Sequence, residues 1–272
     1  MQPPRTTSDQ GVLDPRSGAM RLTRRPASED LATWVERHWV VRWDLRGREP
    51  HLQETLPHPC VNLVIQPGLS RVYGVGTERF EVLLEGRGQV VGTKFRPGGF
   101  HPFAGFPIAE LTDASISLGE AFGPEGEALE AAVLASADAL EQIALVEAFL
   151  RARRPAPDPN VDAVARVTRL LLADPSVQRV EDISARLGIP ARTLQRLFRR
   201  YVGVSPKWVL QRYRLHEAAE RIADGHDGDW ARLAIDLGYF DQAHFIKDFK
   251  ALVGRSPAEY AAELAGATRR AA

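Results

Sequence analysis

The sequence predicts an α+β chain. A β-rich N-terminal domain with following helices leads into an all-α C-terminal domain of two helix-turn-helix subdomains joined by a long helix. Three observations predict it. Short apolar runs bounded by Pro and Gly fill the first part, apolar residues at helical spacing fill the last, and one pattern occurs twice in the last third.

At 272 residues there is room for two cores, because chains of this size divide into domains of about 100–200 residues. A composition of 44% hydrophobic and 26% charged residues is ordinary globular usage and excludes a fibrous or wholly disordered chain. Cys60 has no second cysteine to pair with, so a disulfide framework is excluded. The opening MQPPRTTSDQGVLDPRSG lacks an apolar signal segment, and no run approaches the ~18 apolar residues of a membrane span. A cytoplasmic protein with no membrane partner is expected.

Residues 1–20 read as untethered. Residues 21–150 read as the β-rich domain, with strands at His38–Trp43, Val61–Gln66, Arg71–Val75, Phe80–Leu84 and Gln89–Phe95. Glu125–Arg153 is Ala/Leu/Glu-rich and helical in pattern, with a break near Ser136-Ala-Asp138. The segment 151–160 carries three prolines and clustered charge and reads as a linker. Asp158-Pro159 then caps and starts a helix with Val161, Val164, Ala165, Thr168, Leu171 and Leu172 on one face.

The repeat lies within 161–265. Leu194-Gln-Arg-Leu-Phe-Arg-Arg-Tyr-Val-Gly-Val-Ser-Pro206 recurs as Phe245-Ile-Lys-Asp-Phe-Lys-Ala-Leu-Val-Gly-Arg-Ser-Pro257. Phe198, Gly203, Ser205 and Pro206 map onto Phe249, Gly254, Ser256 and Pro257 with a constant offset of 51. In the first copy Glu181–Leu187 is a short helix ended by Gly188, and a second helix starts near Pro190 and runs to about Tyr201. In the second copy Trp230–Leu237 is the first helix, Gly238 the turn, and Asp241 the N-cap of a helix to about Leu252, the turn being one residue longer. Ser205-Pro206 starts the long helix to about Ala223 that separates the units.

The formal charge is zero, but its distribution is uneven. Residues 1–159 carry 17 Lys/Arg against 21 Asp/Glu, a net of −4, and residues 160–272 carry 18 against 14, a net of +4. Between Ile183 and His216 stand Arg186, Arg192, Arg196, Arg199, Arg200, Lys207, Arg212 and Arg214 without one acid. Such a run suits a phosphate backbone. On the Pro190–Tyr201 helix, Leu194, Leu197 and Phe198 face inward and Arg192, Gln195, Arg196 and Arg199 form the opposite stripe. Arg matches guanine O6 and N7, and Gln matches adenine N6 and N7, at about 1–3 kcal/mol of discrimination each.

With these residues in view, Glu181–Tyr260 resembles the DNA-binding domain of the AraC/XylS family of bacterial regulators. Gly238-Tyr-Phe-Asp-Gln-Ala-His-Phe-Ile-Lys-Asp-Phe-Lys250 followed by Gly254, Ser256-Pro257 and Tyr260 carries the signature. The resemblance implies two recognition helices set in successive major grooves of double-stranded DNA. Arg192, Gln195 and Arg196 would form the first base-reading set, and Gln242, Ala243, Ile246 and Lys247 the second. Arg199, Arg200 and Lys207 are the phosphate candidates. Ala243 and Ile246 cannot hydrogen-bond base edges, so methyl contacts and phosphate positioning are expected of the second helix. The front half resembles a poorly characterised domain found before this module, through Leu56-Pro57, Asn62-Leu63-Val64 and Gly92-Thr-Lys-Phe-Arg-Pro-Gly-Gly99. The family implies a sensor for a small-molecule effector or a homodimerisation role. RNA polymerase would be a further partner were the protein an activator, and activator versus repressor is not written in these residues.

Other readings stay open. A regulator controlled by abundance or a protein partner needs no effector. An enzyme with a fused DNA-binding domain would need an activated thiol, and Cys60 in His-Pro-Cys-Val has no neighbouring cation in sequence, so no catalytic residue is expected. His51, Glu54, His58, Cys60 and His101 fit no metal-ligand spacing, and no metal or cofactor is expected. Tyr73–Gly76 and Arg96–Gly99 read as turns rather than phosphate loops. Trp34, Trp39, Trp43, Phe95, Phe100, Phe103 and Phe106 read as core or as the lining of an apolar pocket. Leu140, Ile143, Ala144, Val146, Glu147 and Leu150 pack on their own domain or form a dimer seam.

Overall fold

The computed structural model describes residues 20–226 and 228–271, as a sheet region followed by helices. The untethered start expected at 1–20 lies, Met20 aside, outside the described residues. Among them the strands are β1 (Met20–Pro26), β2 (Val35–Asp44), β3 (His51–Thr55), β4 (Asn62–Ile65), β5 (Arg71–Tyr73), β6 (Phe80–Leu84), β7 (Arg87–Phe95) and β8 (Ser115–Ser117). Six form one antiparallel sheet in the order β1-β2-β7-β4-β5-β8, and β3 pairs with β6 in a separate ribbon. The five strands read from the sequence are β2, β4, β5, β6 and β7. Edge strand β1 carries three arginines and a proline in seven residues, so pairing with β2 rather than apolar alternation places it.

The register sets Trp39 opposite Gly92 and Trp43 opposite Gly88. Each indole covers its glycine so closely that a Cβ would lie 2.0 Å and 2.2 Å from ring atoms. Trp34, Phe95, Phe100 and Phe103 pack edge to face at centroid separations of 5.0–6.0 Å. These aromatics therefore serve as core and glycine covers, where an apolar pocket was the alternative.

A one-turn helix α1 (His101–Ala104) and a 3-10 turn (Ile108–Leu111) precede β8. Then come α2 (Leu118–Phe122), α3 (Pro124–Ala135) and α4 (Ala139–Ala152). The break between α3 and α4 falls where Asp138 caps α4, accepting from the Leu140 and Glu141 amides at 2.9 Å. Ile143, Val146 and Leu150 are buried in the chain's own core, while Leu140 is 51% exposed. Most of the suggested dimer seam is thus used internally. The Pro-rich segment is tied down: Arg151 pairs with Asp30 at 2.6 Å, and Arg154 lies 5.8 Å over the Trp34 ring.

The last part is helical: α5 (Pro159–Ala173), α6 (Val180–Leu187), α7 (Ala191–Tyr201), α8 (Pro206–Ala223), α9 (Trp230–Asp236), α10 (Gln242–Val253) and α11 (Pro257–Ala271). One hydrophobic core runs unbroken from the sheet through α3 and α4 into α5, α6, α7 and the first half of α8. A second is built from the rest of α8 with α9, α10 and α11, and Leu56 from the sheet region enters it. The repeated Phe198 and Phe249 are both at 0% exposure, one in each core, each contributing about 1.5–3 kcal/mol by burial.

Candidate nucleic-acid interface

In the first unit α6 ends at Gly188, whose φ of 65° is the left-handed geometry that closes the helix, its N–H donating to Ser184 O at 2.9 Å. Helix α7 follows directly. It buries Leu194, Leu197, Phe198 and Tyr201 and leaves Arg192, Gln195, Arg196 and Arg199 exposed. None of these four exposed side chains is engaged by another described residue. Four polar groups at i, i+3, i+4 and i+7 held by a buried apolar seam make a rigid hydrogen-bonding stripe.

Beside the stripe a crevice of about 470 Å³ is lined by Ala109 of the 3-10 turn, Val180, Gln195, Arg199 and residues 203–207. Arg199 and Lys207 are its two cations. Lys207 stands on the first turn of α8, which Ser205 caps by accepting from the Trp208 amide at 3.1 Å. Arg200 is directed elsewhere. Its Nε donates to His101 Nε2 at 3.3 Å, so this phosphate candidate is engaged by the N-terminal region.

In the second unit Gly238 turns the chain at φ 80°, and Asp241 caps α10 by accepting from the His244 amide at 2.7 Å. Gln242, Ala243 and Lys247 are exposed. Ile246 differs from the expectation of a fully outward residue: it is half-buried against the second core. His244 and Asp248 face each other at 3.4 Å, one turn apart.

The run of eight cations is shorter on the surface than in the sequence. Arg212 and Arg214 are 4% and 5% exposed. Arg212 donates to Thr77 O at 2.6 Å and Pro57 O at 3.4 Å and lies 4.3 Å over the Trp208 ring. Burial lowers its pKa to about 10. Arg214 donates to Asp174 O and Val177 O and pairs with Glu217. Arg186 is held by Asp174. An apolar-polar count along α8 could have flagged Arg212, since Val209, Leu210 and Tyr213 beside it are buried too.

These contacts join the sheet region to both helix-turn-helix units. The His58 ring stacks on His216 of α8 at 4.1 Å, and His216 Nε2 lies 3.2 Å from Pro57 O. Burial first, then the neighbouring His216, Lys94, Arg37 and Arg212, hold His58 well below the usual imidazole pKa. Burial likewise brings His216 to about 3. Thr112 Oγ1 donates to Gly203 O at 2.9 Å in the first unit. In the second unit, Arg255 pairs with Glu54, and Arg79 bridges Glu54 at 2.7 Å and Val253 O at 3.2 Å.

The five residues weighed as metal ligands do not converge on one site among the described residues. Glu54 pairs with arginines, His58 stacks on His216, His101 lies 3.9 Å from the Tyr201 ring, and His51 pairs in register with Leu84. Cys60 is buried, with its thiol pushed up to about 11 by burial. Among the described residues no group of three His, Cys, Asp or Glu could hold a metal ion. The two glycine turns are packed against backbone: a Cβ on Gly74 or Gly99 would meet the carbonyls of Leu111 or Trp34 at 1.8 Å or 2.2 Å. No helix among the described residues is long and apolar enough to cross a membrane.

Two helix-turn-helix units, the first with a stripe of cations that no other described residue pairs, are the architecture of a DNA-binding transcription regulator. Residues 183–263 match the family model described as a helix-turn-helix domain, and residues 23–117 match a domain of unknown function, DUF6597. The C-terminal part is an AraC-type helix-turn-helix domain. No curated protein matches the chain. Among solved structures, ToxT from Vibrio cholerae is similar at 12% identity over 92% of this chain and 100% of that one, with a TM-score of 0.39. ToxT from Vibrio cholerae bound to an unsaturated fatty acid is similar at 10% identity over 91% and 96%, with a TM-score of 0.38.

Proposed function

We propose that the protein reads specific double-stranded DNA through the major groove, with the first helix-turn-helix unit as the principal reader and the N-terminal domain as the regulator of binding. The observation that carries this reading is the stripe Arg192, Gln195 and Arg196, exposed and without a partner among the described residues, on a helix whose other face is packed. Two arginines and a glutamine supply the donor and acceptor pattern that guanine and adenine edges accept. Arg199 and Lys207, flanking one crevice, are the phosphate contacts. Gln242, Ala243 and Lys247 of α10 meet the second groove, with Ile246 chiefly a packing residue. In this reading residues 21–150 form the regulatory domain, 151–160 the linker and 161–265 the DNA-binding domain.

The N-terminal domain responds to a small-molecule effector. Support comes from its position: it contacts the first unit at Gly203, α8 at Arg212 and His216, and the second unit at Val253 and Arg255. A ligand that favours one arrangement of these contacts changes how the two reading helices present themselves. Selection of binding sites from random duplex DNA with the full chain tests the first claim. A recurrent site with a G- or A-rich half whose preference at one base is relaxed in Arg196→Ala supports it, and no recurrent site refutes it. Thermal-shift screening of small organic molecules tests the second, and the absence of any stabilising compound would favour control by abundance or a partner protein.

A further inference from the structure

The two copies of the duplicated unit differ at one point that the base-reading stripe does not explain. With the offset of 51 that aligns Phe198 with Phe249, α7 and α10 begin at matching residues, Ala191 and Gln242. The residue two before each start is then Ile189 in the first copy and Phe240 in the second. Ile189 packs against the first core. Phe240 is 96% exposed, more than any other exposed large hydrophobic side chain among the described residues.

The longer second turn explains the difference. Gly188 lies ten residues before Phe198, whereas Gly238 lies eleven before Phe249, so one extra residue must fit before the helix starts. Tyr239 takes the inward place. Its ring is 5.4 Å from Phe245, and its N–H donates to Ala234 O at 2.9 Å. The next side chain is thereby turned out. Phe240 stands beside the N-cap Asp241 and is followed by the exposed Gln242 and Ala243.

We infer that Phe240 is a specificity-determining residue, an apolar reader that meets thymine methyl groups where α10 enters the major groove. The inference rests on the DNA-reading function proposed above. A recognition helix brings its N-terminal residues to the base edges, and Phe240 precedes the cap of that helix, so it travels with it. The thymine C5-methyl is the apolar group that base edges offer there. Ala243 adds a small apolar surface on the following turn, and the sparse hydrogen-bonding equipment of α10 leaves apolar contact as its main way to discriminate. The first unit thus reads donors and acceptors, and the second reads methyl groups.

Replacing thymine by uracil removes the methyl and nothing else, which makes the test direct. A site is first selected from random duplexes with the full chain. Each thymine under the second unit is then changed to uracil, one at a time, and affinities are compared for the wild type and Phe240→Ala. Because the side chain is 96% exposed, the variant is expected to melt with the wild type. One or two uracil positions should weaken the wild type by about fourfold, the value of one buried methyl, and should leave Phe240→Ala unchanged. Phe240→Leu should keep part of the preference. The inference is overturned if wild-type binding is indifferent to every uracil, or if Phe240→Ala keeps the same thymine preference. A variant that binds DNA as before but fails in transcription would assign Phe240 to a protein contact and also overturn it. Selection of no site at all would instead overturn the DNA-reading function, and this inference with it.

Discussion

Acidification should loosen the hold of the sheet region on α8, because two neutral imidazoles lie face to face in that contact. His216 is brought from the ordinary 6.5 to about 3, chiefly by burial. His58 is lowered in the same direction, and both of its ring nitrogens are shut off from solvent without a partner. The groups facing the pair, Lys94, Arg37 and Arg212, are cationic, so they add to the penalty on a proton. The folded chain therefore binds fewer protons than the unfolded chain between these values. The stabilising contribution is complete above the unfolded value and is lost as pH falls toward the folded one. At roughly 1.4 kcal/mol per pKa unit, His216 alone should cost about 2 kcal/mol between about pH 7.5 and about pH 5. Carboxylates with ordinary pKa values contribute little in that window. Urea unfolding can be followed through Trp208, which lies under Arg212 on the same helix. His38 and His101 are also lowered by burial, so the comparison is with His58→Leu/His216→Leu, which retains both. The variant should lose about 2 kcal/mol or more of the pH dependence whatever its absolute stability. Equal pH slopes in the two proteins would refute the reasoning.

Three other outcomes are expected. Arg196→Ala should cost about 1–3 kcal/mol at one base position, whereas Arg199→Ala should weaken binding to all sequences and reduce the salt slope by about 1; identical specificity profiles for the two variants would contradict the assignment. Gly203→Ala should destabilise the chain by about 1–3 kcal/mol in thermal or urea melts, since φ is 101° there and the added Cβ would meet Thr112 Oγ1 at 3.0 Å and Ile108 O at 3.1 Å. An unchanged melt would show that this contact yields freely. Cys60, buried with its thiol pushed up to about 11, should resist alkylation near neutral pH in the folded chain and react in urea. Rapid labelling of the native protein would bring an activated thiol back into consideration.

The helical part was the more legible because its signals are local. Gly188, Asp241 and the Ser205-Pro206 pair set helix ends through bonds that reach no more than four residues along the chain. The duplication needed only a comparison of the chain with itself. In the sheet region the same approach found β2, β4, β5, β6 and β7 but not β1, β3 or β8. Met20–Pro26 is a strand because β2 lies alongside it, and Ser115–Ser117 because β5 does. Partners distant in sequence leave little periodicity in so short a segment.

By itself, then, the sequence determined the α+β class, the two matching helix-turn-helix units and the stripe Arg192, Gln195 and Arg196, since these follow from short apolar runs, from the repeat within the chain, and from the 3.6-residue period and capping chemistry within a turn. Tertiary structure alone decided which charges are free. Arg212 donates to carbonyls 135 and 155 residues away, and Arg200 donates to a histidine 99 residues away. It also decided that Tyr239 packs inward beside Phe245 while Phe240 stands 96% exposed. Spacing along a helix tells which side a residue faces, and only packing tells what covers that side.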